Sequence, residues 1–521
     1  MPHRSSPSQH SVSSAGSSTL DIKTAAAAPY SMFTMFARSS ILSVLRSAIA
    51  VGYMRIEDRD DTFHFGNEKT DGAVVHLKVV SGKFWTRVFT EAYMIGDVEI
   101  ANLKSIMDLW LDNQSTVAAV SSVYARVLAA ASGLRNAFFG QTRSRARLNA
   151  IASYDQSNEL FKAFLSREMM YSCALWGDAE GGVRGDLLGA GPSANDLEGA
   201  QMRKIHHVLR AARVKPGDRL LEFGTGWGAL AIEAAATYGC EVDTLTLSVE
   251  QKELAEERVR ARGLVGRVRV HLMDYRDLPA AFEHQFDAFV SIEMLEHVGS
   301  KYYKRYFELV DFALKPAGAT VVITSSTFPE GRYTGYQADD FMRRYMWPNS
   351  CLPSATVLID SAYASSGGRF TLEAVENHAP HYPRTLRTWG RRLRANQWAL
   401  QETLAARHPA LRDRATYGAF LRKWEYLFAY AAAGFAKGYI TCHMLTFVRA
   451  VRALWRASSL RRARADADDT ILYLERRHGC VRLGGLRGGE ALSRRSRCAC
   501  IALMRRGFRG SPAKTGRGGK G

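Results

Sequence analysis

Short apolar runs of strand length alternate with helical patterns between residues 195 and 325. The strand patterns lie at 219–223, 241–247, 267–272, 286–292 and 319–324, and the helical patterns lie at 202–212, 229–238, 249–262 and 301–313. Strands that alternate with helices in this way form a mostly parallel, doubly wound sheet. The pattern therefore predicts an α/β, Rossmann-like fold that binds its ligand at the carboxyl ends of the strands.

A glycine turn and groups of polar side chains lie at the ends of four of the predicted strands, at the edge where such a sheet binds its ligand. In chain order they are Glu222, Gly224, Gly226 and Gly228, then Thr246, Ser248 and Gln251, then Asp274 and Tyr275, and finally Glu293 and Glu296. A solvated loop explains any one of these groups. Four groups at one edge favour a crevice that binds a nucleoside.

The turn after the first of these strands has the spacing G-x-G-x-G. Glycine accepts positive φ and lets the backbone approach a ligand, and the helix that follows directs free N–H groups at it. A dinucleotide site has the spacing G-x-G-x-x-G and an acidic residue about 20 residues later, where this chain has Thr246 and Ser248. The turn therefore indicates an S-adenosylmethionine (SAM) site and not an NAD site.

Composition divides the chain of 521 residues into four segments. Residues 1–38 are rich in Ser and Ala with one acidic residue, which predicts disorder, with a transit peptide as the alternative. Residues 39–150 carry strand patterns at 53–56, 62–66 and 74–80 and helical patterns at 41–51 and 100–113, which predict a small α+β domain and a linker. We assign 151–450 to a SAM-binding domain with an aromatic cap, and 451–521 to a basic, disordered tail.

The formal net charge of +19 is concentrated in that tail. Residues 451–521 hold 18 Lys and Arg and five Asp and Glu, so the tail carries +13 and the rest of the chain only +6. A folded nucleic-acid-binding face is therefore not expected. The tail either binds anionic headgroups or RNA through its charge, or has no function.

Two other bulk properties bear on the class of protein. The sequence holds no run of about 18 uncharged apolar residues, so we predict no transmembrane helix. The seven cysteines lack metal-ligand spacing and no secretory signal is present, which predicts no metal, reduced thiols and an intracellular enzyme.

Two stretches are open to two interpretations. The loop at 169–176 either closes over the ligand or is a packed connection between elements. The aromatic segment at 420–435 either packs in the core or lines an apolar substrate tunnel.

Several motifs occur together in one order: Tyr154-Asp155, 171–176 (Tyr-Ser-Cys-Ala-Leu-Trp), 221–228, 246–251, 274–276, 291–299, 314–316, 345–354, His381-Tyr382, 385–389 and 424–435. With them the chain resembles the cyclopropane-fatty-acyl-phospholipid synthase family, which includes mycolic acid cyclopropane synthases and related SAM-dependent lipid methyltransferases. Together with the small domain, the resemblance spans residues 40–449.

The resemblance implies transfer of the SAM methyl group to a cis double bond of an unsaturated phospholipid acyl chain. Methyl addition leaves a carbocation, and loss of a proton from the added methyl group closes a cyclopropane ring. Because water would quench the cation, the site is expected to be dry and aromatic-lined and to hold one base.

The resemblance also implies cofactors, partners and location. SAM is the cofactor, and a bound bicarbonate is the base. Membrane phospholipid is the partner through peripheral contact, with no specific nucleic acid and with a homodimer as a further expectation. The implied location is cytoplasmic and peripherally membrane-associated.

The family's functional residues map onto this chain motif by motif. The catalytic residues around the bicarbonate map to Cys173, Glu296 and Tyr382. The SAM contacts map to Tyr171, Ser172, Glu222, Gly224, Gly226, Gly228, Thr246, Ser248, Gln251, Asp274 and Tyr275.

Two positions depart from the family pattern. The family's bicarbonate-binding histidine falls at Ile323, beside Thr324, and neither is a histidine. The residues before Glu91-Ala-Tyr93 are fewer than in the family, which predicts a missing turn in the small domain.

The first departure leaves ring closure open. One alternative is a related lipid C-methyltransferase that makes a methyl or methylene branch, for instance on a sphingolipid. Another is a non-catalytic protein that binds lipid or RNA through the tail.

Overall fold

The computed structural model describes residues 29–69, 71–116, 157–189, 191–337, 339–348 and 350–449. The predictions for the tail, for most of the linker and for the Tyr154-Asp155 motif lie outside the described residues. Within the described parts, no helix is long and apolar enough to cross a bilayer, and all four cysteines, Cys173, Cys240, Cys351 and Cys442, are free thiols.

The strands of the described chain form two sheets. In chain order they are β1 (Tyr53–Asp58), β2 (Asp61–Gly66), β3 (Val74–Val79), β4 (Val98–Ile100), β5 (Arg219–Phe223), β6 (Glu241–Thr246), β7 (Val268–Leu272), β8 (Ala288–Ile292), β9 (Thr320–Thr327), β10 (Phe370–Asn377) and β11 (Thr441–Arg449). The first four form a small sheet in the order β2-β1-β3-β4, and the other seven form the main sheet in the order β10-β11-β9-β8-β5-β6-β7.

The α-helices of the described chain cover both sheets. They are α1 (Met32–Ala48), α2 (Phe89–Ile95), α3 (Leu103–Asp112), α4 (Asn158–Lys162), α5 (Asp196–Ala211), α6 (Ala229–Thr237), α7 (Val249–Ala261), α8 (Tyr303–Ala313), α9 (Ala355–Ser365), α10 (Tyr382–Ala395), α11 (Gln397–Arg407) and α12 (Arg414–Ala436). Helix α1 begins at Met32, so the last residues of the segment predicted to be disordered are helical.

The parallel part of the main sheet matches the prediction. Strands β5 to β9 pair in parallel, and the sheet is buried on both faces because its strands are apolar. Along β5, Leu220 packs with Ile205 and Leu209 of α5 on one face. Leu221 and Phe223 pack on the other face, where α8 lies.

Strands β10 and β11 were not predicted, because the alternating strand and helix patterns in the sequence end at residue 325. Both join the sheet antiparallel, β11 against β9 and β10 against β11. Strand β10 lies at the edge, where its largely exposed residues give little apolar signal. Strand β11 lies inside the sheet and is buried along most of its length, and a short buried run cannot be told from a helix segment by periodicity alone.

The aromatic segment of α12 belongs to the core. Trp424, Tyr426 and Phe428 are buried in a cluster that also holds residues of the small sheet, such as Met54 and Leu77. This observation favours the packing interpretation over the tunnel wall. It also shows that one continuous core joins the small sheet to the C-terminal helices.

Candidate active site

A cavity of about 950 Å³ lies at the carboxyl ends of β5, β6, β7 and β8. That volume lies within the range of ordinary ligand sites, roughly 300–1,000 Å³. It is lined by all but one of the predicted SAM contacts: Tyr171, Ser172, Glu222, Gly224, Gly226, Thr246, Ser248, Gln251, Asp274 and Tyr275. The remaining one, Gly228, does not line the cavity but precedes α6, and a Cβ there would lie 3.2 Å from the Cβ of Ala255.

The glycine turn follows β5 directly and requires glycine. Gly224 has φ of +93° and Gly226 has φ of +51°, a region that side chains disfavour. A Cβ on Gly226 would meet no atom within 4 Å, so the turn faces open space. Glu222 lies in β5, two residues before Gly224, and its carboxylate accepts a hydrogen bond of 2.6 Å from the Thr244 hydroxyl. Burial nevertheless raises the pKa of Glu222 to about 8.

The second and third strand ends carry preorganised polar groups. The Thr246 hydroxyl donates to Oε1 of Gln251 at 2.7 Å, and Ser248 caps α7 by accepting from the Gln251 N–H at 3.2 Å. The Asp274 carboxylate accepts from Nε of Arg276 at 2.8 Å. Hydrogen bonding to Arg276 lowers the pKa of Asp274, so this carboxylate stays ionised.

The loop at 169–176 is held over the cavity by buried contacts. Gln201 of α5 donates to the Ser172 carbonyl at 2.9 Å, and the Ala174 N–H donates to the Thr385 hydroxyl at 3.2 Å. The ring of Tyr171 stacks on Trp389 with centroids 5.1 Å apart. These contacts pack the loop against α5 and α10, as in a packed connection, and Tyr171 and Ser172 of the same loop also line the cavity.

The carboxylate of Glu293 lies where the predicted catalytic groups meet. It accepts a hydrogen bond of 2.8 Å from the Cys173 backbone N–H and another from the Tyr382 hydroxyl. The Tyr382 ring is itself fixed by stacking on Phe435 at 4.1 Å. Glu293 lines the cavity, and burial raises its pKa. Sequence reasoning noted Glu293 as a strand-end residue but gave it no role.

Glu296 lies deeper than Glu293 and does not line the cavity. Its Oε1 accepts from the Ser326 N–H at 2.5 Å, and its Oε2 has no partner among the described residues. Burial, and then the charge of Glu293, raise the pKa of Glu296 to about 8. The structure therefore brings Cys173 and Tyr382 together at Glu293, with Glu296 behind them.

Comparison with known proteins identifies the family of the chain. The family model for mycolic acid cyclopropane synthetase matches residues 141–445. The chain belongs to this family. Tuberculostearic acid methyltransferase from Mycobacterium tuberculosis is 34% identical over 362 residues, which cover 69% of this chain and 78% of that relative. Cyclopropane-fatty-acyl-phospholipid synthase from Escherichia coli is 36% identical over 255 residues, which cover 49% of this chain and 59% of that relative.

Solved structures agree on the fold. Coclaurine N-methyltransferase bound to N-methylheliamine and SAH aligns with a TM-score of 0.50 at 18% identity, covering 69% of this chain and 98% of that one. The predicted SAM-dependent methyltransferase fold is thus confirmed. As a member of the mycolic acid cyclopropane synthetase family, the protein is a SAM-dependent methyltransferase of the lipid-methylating class.

The cavity fits SAM. It combines the open space before Gly226 with four carboxyl groups, those of Glu222, Glu250, Asp274 and Glu293. Opposite charges near a site favour the ionised form of each partner, and SAM carries a positive sulfonium. The roles of individual residues stay predictions.

Bicarbonate, which the family resemblance implied, does not fit this site. The Glu293 carboxylate already takes the hydrogen bonds of the Cys173 N–H and the Tyr382 hydroxyl. A second anion beside it would add a like charge in a buried place, which costs free energy. The position of the family histidine, Ile323, is fully buried in the apolar core.

Sequence reasoning also missed Lys204. Its ammonium lies on the buried face of α5 and donates to the Ser172 hydroxyl at 2.6 Å. Burial lowers its pKa to about 8. The available signal was a lysine at an apolar position of an amphipathic helix, because a buried lysine is rare unless it has a partner.

Proposed function

We propose that the protein transfers the SAM methyl group to a cis double bond of an unsaturated acyl chain in a membrane phospholipid, with Glu293 as the base. The observation that carries this proposal is the Glu293 carboxylate, which faces the cavity and is held by Cys173 and Tyr382. The family supplies the reaction class, and the geometry supports the identity of the base.

SAM supplies an electrophilic methyl group, and Tyr171, Ser172, Glu222, the glycine turn, Gln251 and Asp274 are the residues that would hold it. The π electrons of the double bond form the new C–C bond, and the other alkene carbon is left positively charged. The rings of Phe161, Tyr171 and Trp347 line the same cavity. They exclude water and stabilise positive charge through their faces.

Glu293 then removes a proton from the added methyl group. If the C–H electron pair closes onto the cationic carbon, the product is a cyclopropane. If a hydride first moves from the methylated carbon to the cationic carbon, proton loss leaves a methylene branch. Both products require one base beside the added methyl group, so Glu293 could act as the base in either reaction.

The branched product is the second candidate. The relative named a tuberculostearic acid methyltransferase aligns over 69% of this chain, whereas the one named a cyclopropane synthase aligns over 49%. The longer alignment is thus with a relative that is named for methyl transfer and not for ring formation, which supports the branched product as the alternative.

The test is incubation of the protein with methyl-labelled SAM and vesicles of unsaturated phospholipid. Labelled acyl chains one CH₂ heavier support the proposal, and fragmentation or NMR separates the ring from the methylene branch, which have the same mass. Absence of label in the acyl chains, with label in a headgroup or in another lipid class, contradicts it.

Variants separate the base from the cofactor site. Glu293→Gln keeps the shape of the side chain but cannot take the proton, so methyl transfer should fall by about 10²–10⁴-fold while SAM affinity stays near that of the wild type. Tyr382→Phe should show the same pattern more weakly.

Asp274→Ala removes a charged hydrogen-bond acceptor from the cavity and should weaken SAM binding by about tenfold or more. Calorimetric titration with SAM measures the affinities. Equal loss of SAM affinity in Glu293→Gln, Tyr382→Phe and Asp274→Ala would contradict this division of roles.

A further inference from the structure

A cluster of two histidines and one glutamate lies where α5 meets the end of β10, and the proposed reaction does not use it. His207 is on α5, Glu376 is the penultimate residue of β10, and His378 follows that strand. His207 Nε2 lies 2.7 Å from Glu376 Oε2, and His378 Nε2 lies 3.4 Å from the same oxygen. The three donor atoms all lie within 4.8 Å of one another.

We propose that His207, Glu376 and His378 form a binding site for a divalent transition-metal ion of the zinc class. Two imidazoles and one carboxylate are a ligand set that zinc takes in proteins, with bonds of about 2.0–2.2 Å. A tetrahedral ion with such bonds spaces its ligand atoms by roughly 3.4 Å. The two separations from the Glu376 oxygen, 2.7 and 3.4 Å, lie close to that value.

The geometry needs only small side-chain adjustments. The ring centroids of His207 and His378 lie 5.8 Å apart at an interplanar angle of 61°, and Nε2 of each ring lies within 3.4 Å of the same Glu376 oxygen. His378 is nearly buried, with 9% of its side chain exposed, whereas His207 at 33% and Glu376 at 38% have room to rotate. The exposed side leaves coordination positions for water, as in an open three-ligand site.

The charge of the cluster suits a cation. The Glu376 carboxylate lies 2.7 Å from Nε2 of His207 and 3.4 Å from Nε2 of His378, and an ordinary glutamate has a pKa of about 4.3. The carboxylate is therefore ionised at neutral pH, and one negative charge faces two imidazoles that bind metals in their neutral form.

A metal here would act on the segment that carries Tyr382. The His378 N–H donates to the Cys442 carbonyl at 2.7 Å, and the His378 carbonyl accepts from the Cys173 thiol at 3.7 Å. An ion that joins α5 to β10 would hold this segment in place next to the candidate active site.

The experiment measures metal binding by the full chain after removal of metal with a chelator. Zn²⁺ is titrated in competition with a chromophoric chelator, and Co²⁺ is titrated by visible spectroscopy. We expect one equivalent bound by nitrogen and oxygen ligands. The tail cysteines Cys480, Cys498 and Cys500 would instead produce a thiolate-to-cobalt charge-transfer band.

Two variants and two matched controls locate the site. His207→Ala and Glu376→Gln should each raise the Kd for Zn²⁺ by about tenfold or more, because loss even of groups that only support a ligand costs 10–100-fold. His206→Ala changes the adjacent histidine of α5, which contacts Tyr238 and Glu233. Glu373→Gln changes a glutamate of the same strand that pairs with Arg213. Both controls should bind Zn²⁺ like the wild type.

Thermal unfolding provides a second readout. The melting temperature should rise with Zn²⁺ concentration in the wild type and in both controls, and less in the two site variants, because a ligand of the native state stabilises it by mass action. If the wild-type protein binds no equivalent of metal through nitrogen and oxygen ligands, the proposal is overturned. The cluster is then a simple ion pair. Equal losses in variants and controls would overturn the proposal too.

Discussion

Glu293 has an unusual backbone conformation, and its carboxylate lines the cavity. Its φ of +49° lies in the left-handed region, which costs a residue other than glycine of order 1 kcal/mol or more. The conformation holds the side chain against Cys173 and Tyr382 at the end of β8. Strain of this kind is concentrated at functional sites, and here it accompanies a carboxylate that lines the cavity and that we propose as the base.

The rate of methyl transfer should depend on pH through Glu293. Burial raises the pKa of Glu293 above its ordinary value of 4.5, and a base acts only when deprotonated, so the rate should rise with pH above that value. Glu293→Gln should abolish this rise. Glu296→Gln should leave this rise nearly unchanged, because the raised pKa of Glu296, about 8, keeps its carboxyl group neutral while Glu293 ionises.

Single-turnover rates between pH 5 and pH 9 check this prediction, with SAM affinity measured at each pH as the control. A pH dependence that disappears in Glu296→Gln and persists in Glu293→Gln would make Glu296 the base.

The residues that could be predicted were those with a local signal. The glycine turn and the polar strand ends line one cavity because spacing and alternation fix the carboxyl edge of a parallel sheet. The roles of Glu293 and Lys204 could not be predicted, because their hydrogen-bond partners come from distant segments of the chain. Glu293 contacts Cys173 and Tyr382, and Lys204 contacts Ser172. The bicarbonate implied by resemblance failed for the same reason.

At the scale of elements, α12 joins the two sheets. It packs against α10 of the methyltransferase part and against α2 and α3 beside the small sheet. Tyr426 lies at this junction, where its ring is 6.0 Å from Tyr93 and 4.5 Å from Phe341. Its hydroxyl accepts a hydrogen bond of 2.9 Å from Thr90.

Tyr426→Ala should lower the free energy of unfolding by about 3 kcal/mol or more, as for other buried aromatic truncations. Because the core is continuous, amide exchange should accelerate in β1 and β3 as well as in α12. Urea unfolding and hydrogen exchange measure both effects.

The matched control is Tyr336→Ala, whose side chain is on a residue 82% exposed and should change stability by less than about 0.5 kcal/mol. Unchanged protection of β1 and β3 in Tyr426→Ala would mean that the small sheet is an independently stable domain.

The two antiparallel strands of the main sheet, β10 and β11, could not be predicted from the sequence pattern. Alternating strand and helix patterns identified β5 to β9 within a few residues. Strand β10 follows α9 but is largely exposed and gives little apolar signal, and helices α10 to α12 separate β11 from it along the chain. Strand β11 pairs with β9, and β10 pairs with β11, and only the folded structure reveals this pairing.

At the scale of the whole molecule, charge and chemistry are separated along the sequence. The described residues of the site lie between 158 and 449, whereas +13 of the net charge lies in residues 451–521. We expect the tail to add electrostatic attraction to anionic membranes, of order 1 kcal/mol for each basic residue near the surface.

Deletion of residues 451–521 should therefore weaken binding to anionic vesicles by about tenfold or more at low salt and leave methyl transfer to detergent-dispersed phospholipid unchanged. Vesicle cosedimentation and the label assay measure the two effects, with zwitterionic vesicles as the control. Loss of methyl transfer in dispersed lipid would show that the tail takes part in catalysis.

The left-handed backbone at Glu293 affects which substitutions the protein can tolerate at this position. Glycine is the residue that this conformation accepts most readily, and a glutamate codon becomes a glycine codon by one change at its second base. A descendant with glycine there would keep the fold of the β8 end, relieve the strain and lose the internal carboxylate. A single nucleotide change would therefore be enough to remove the carboxylate that we propose as the base.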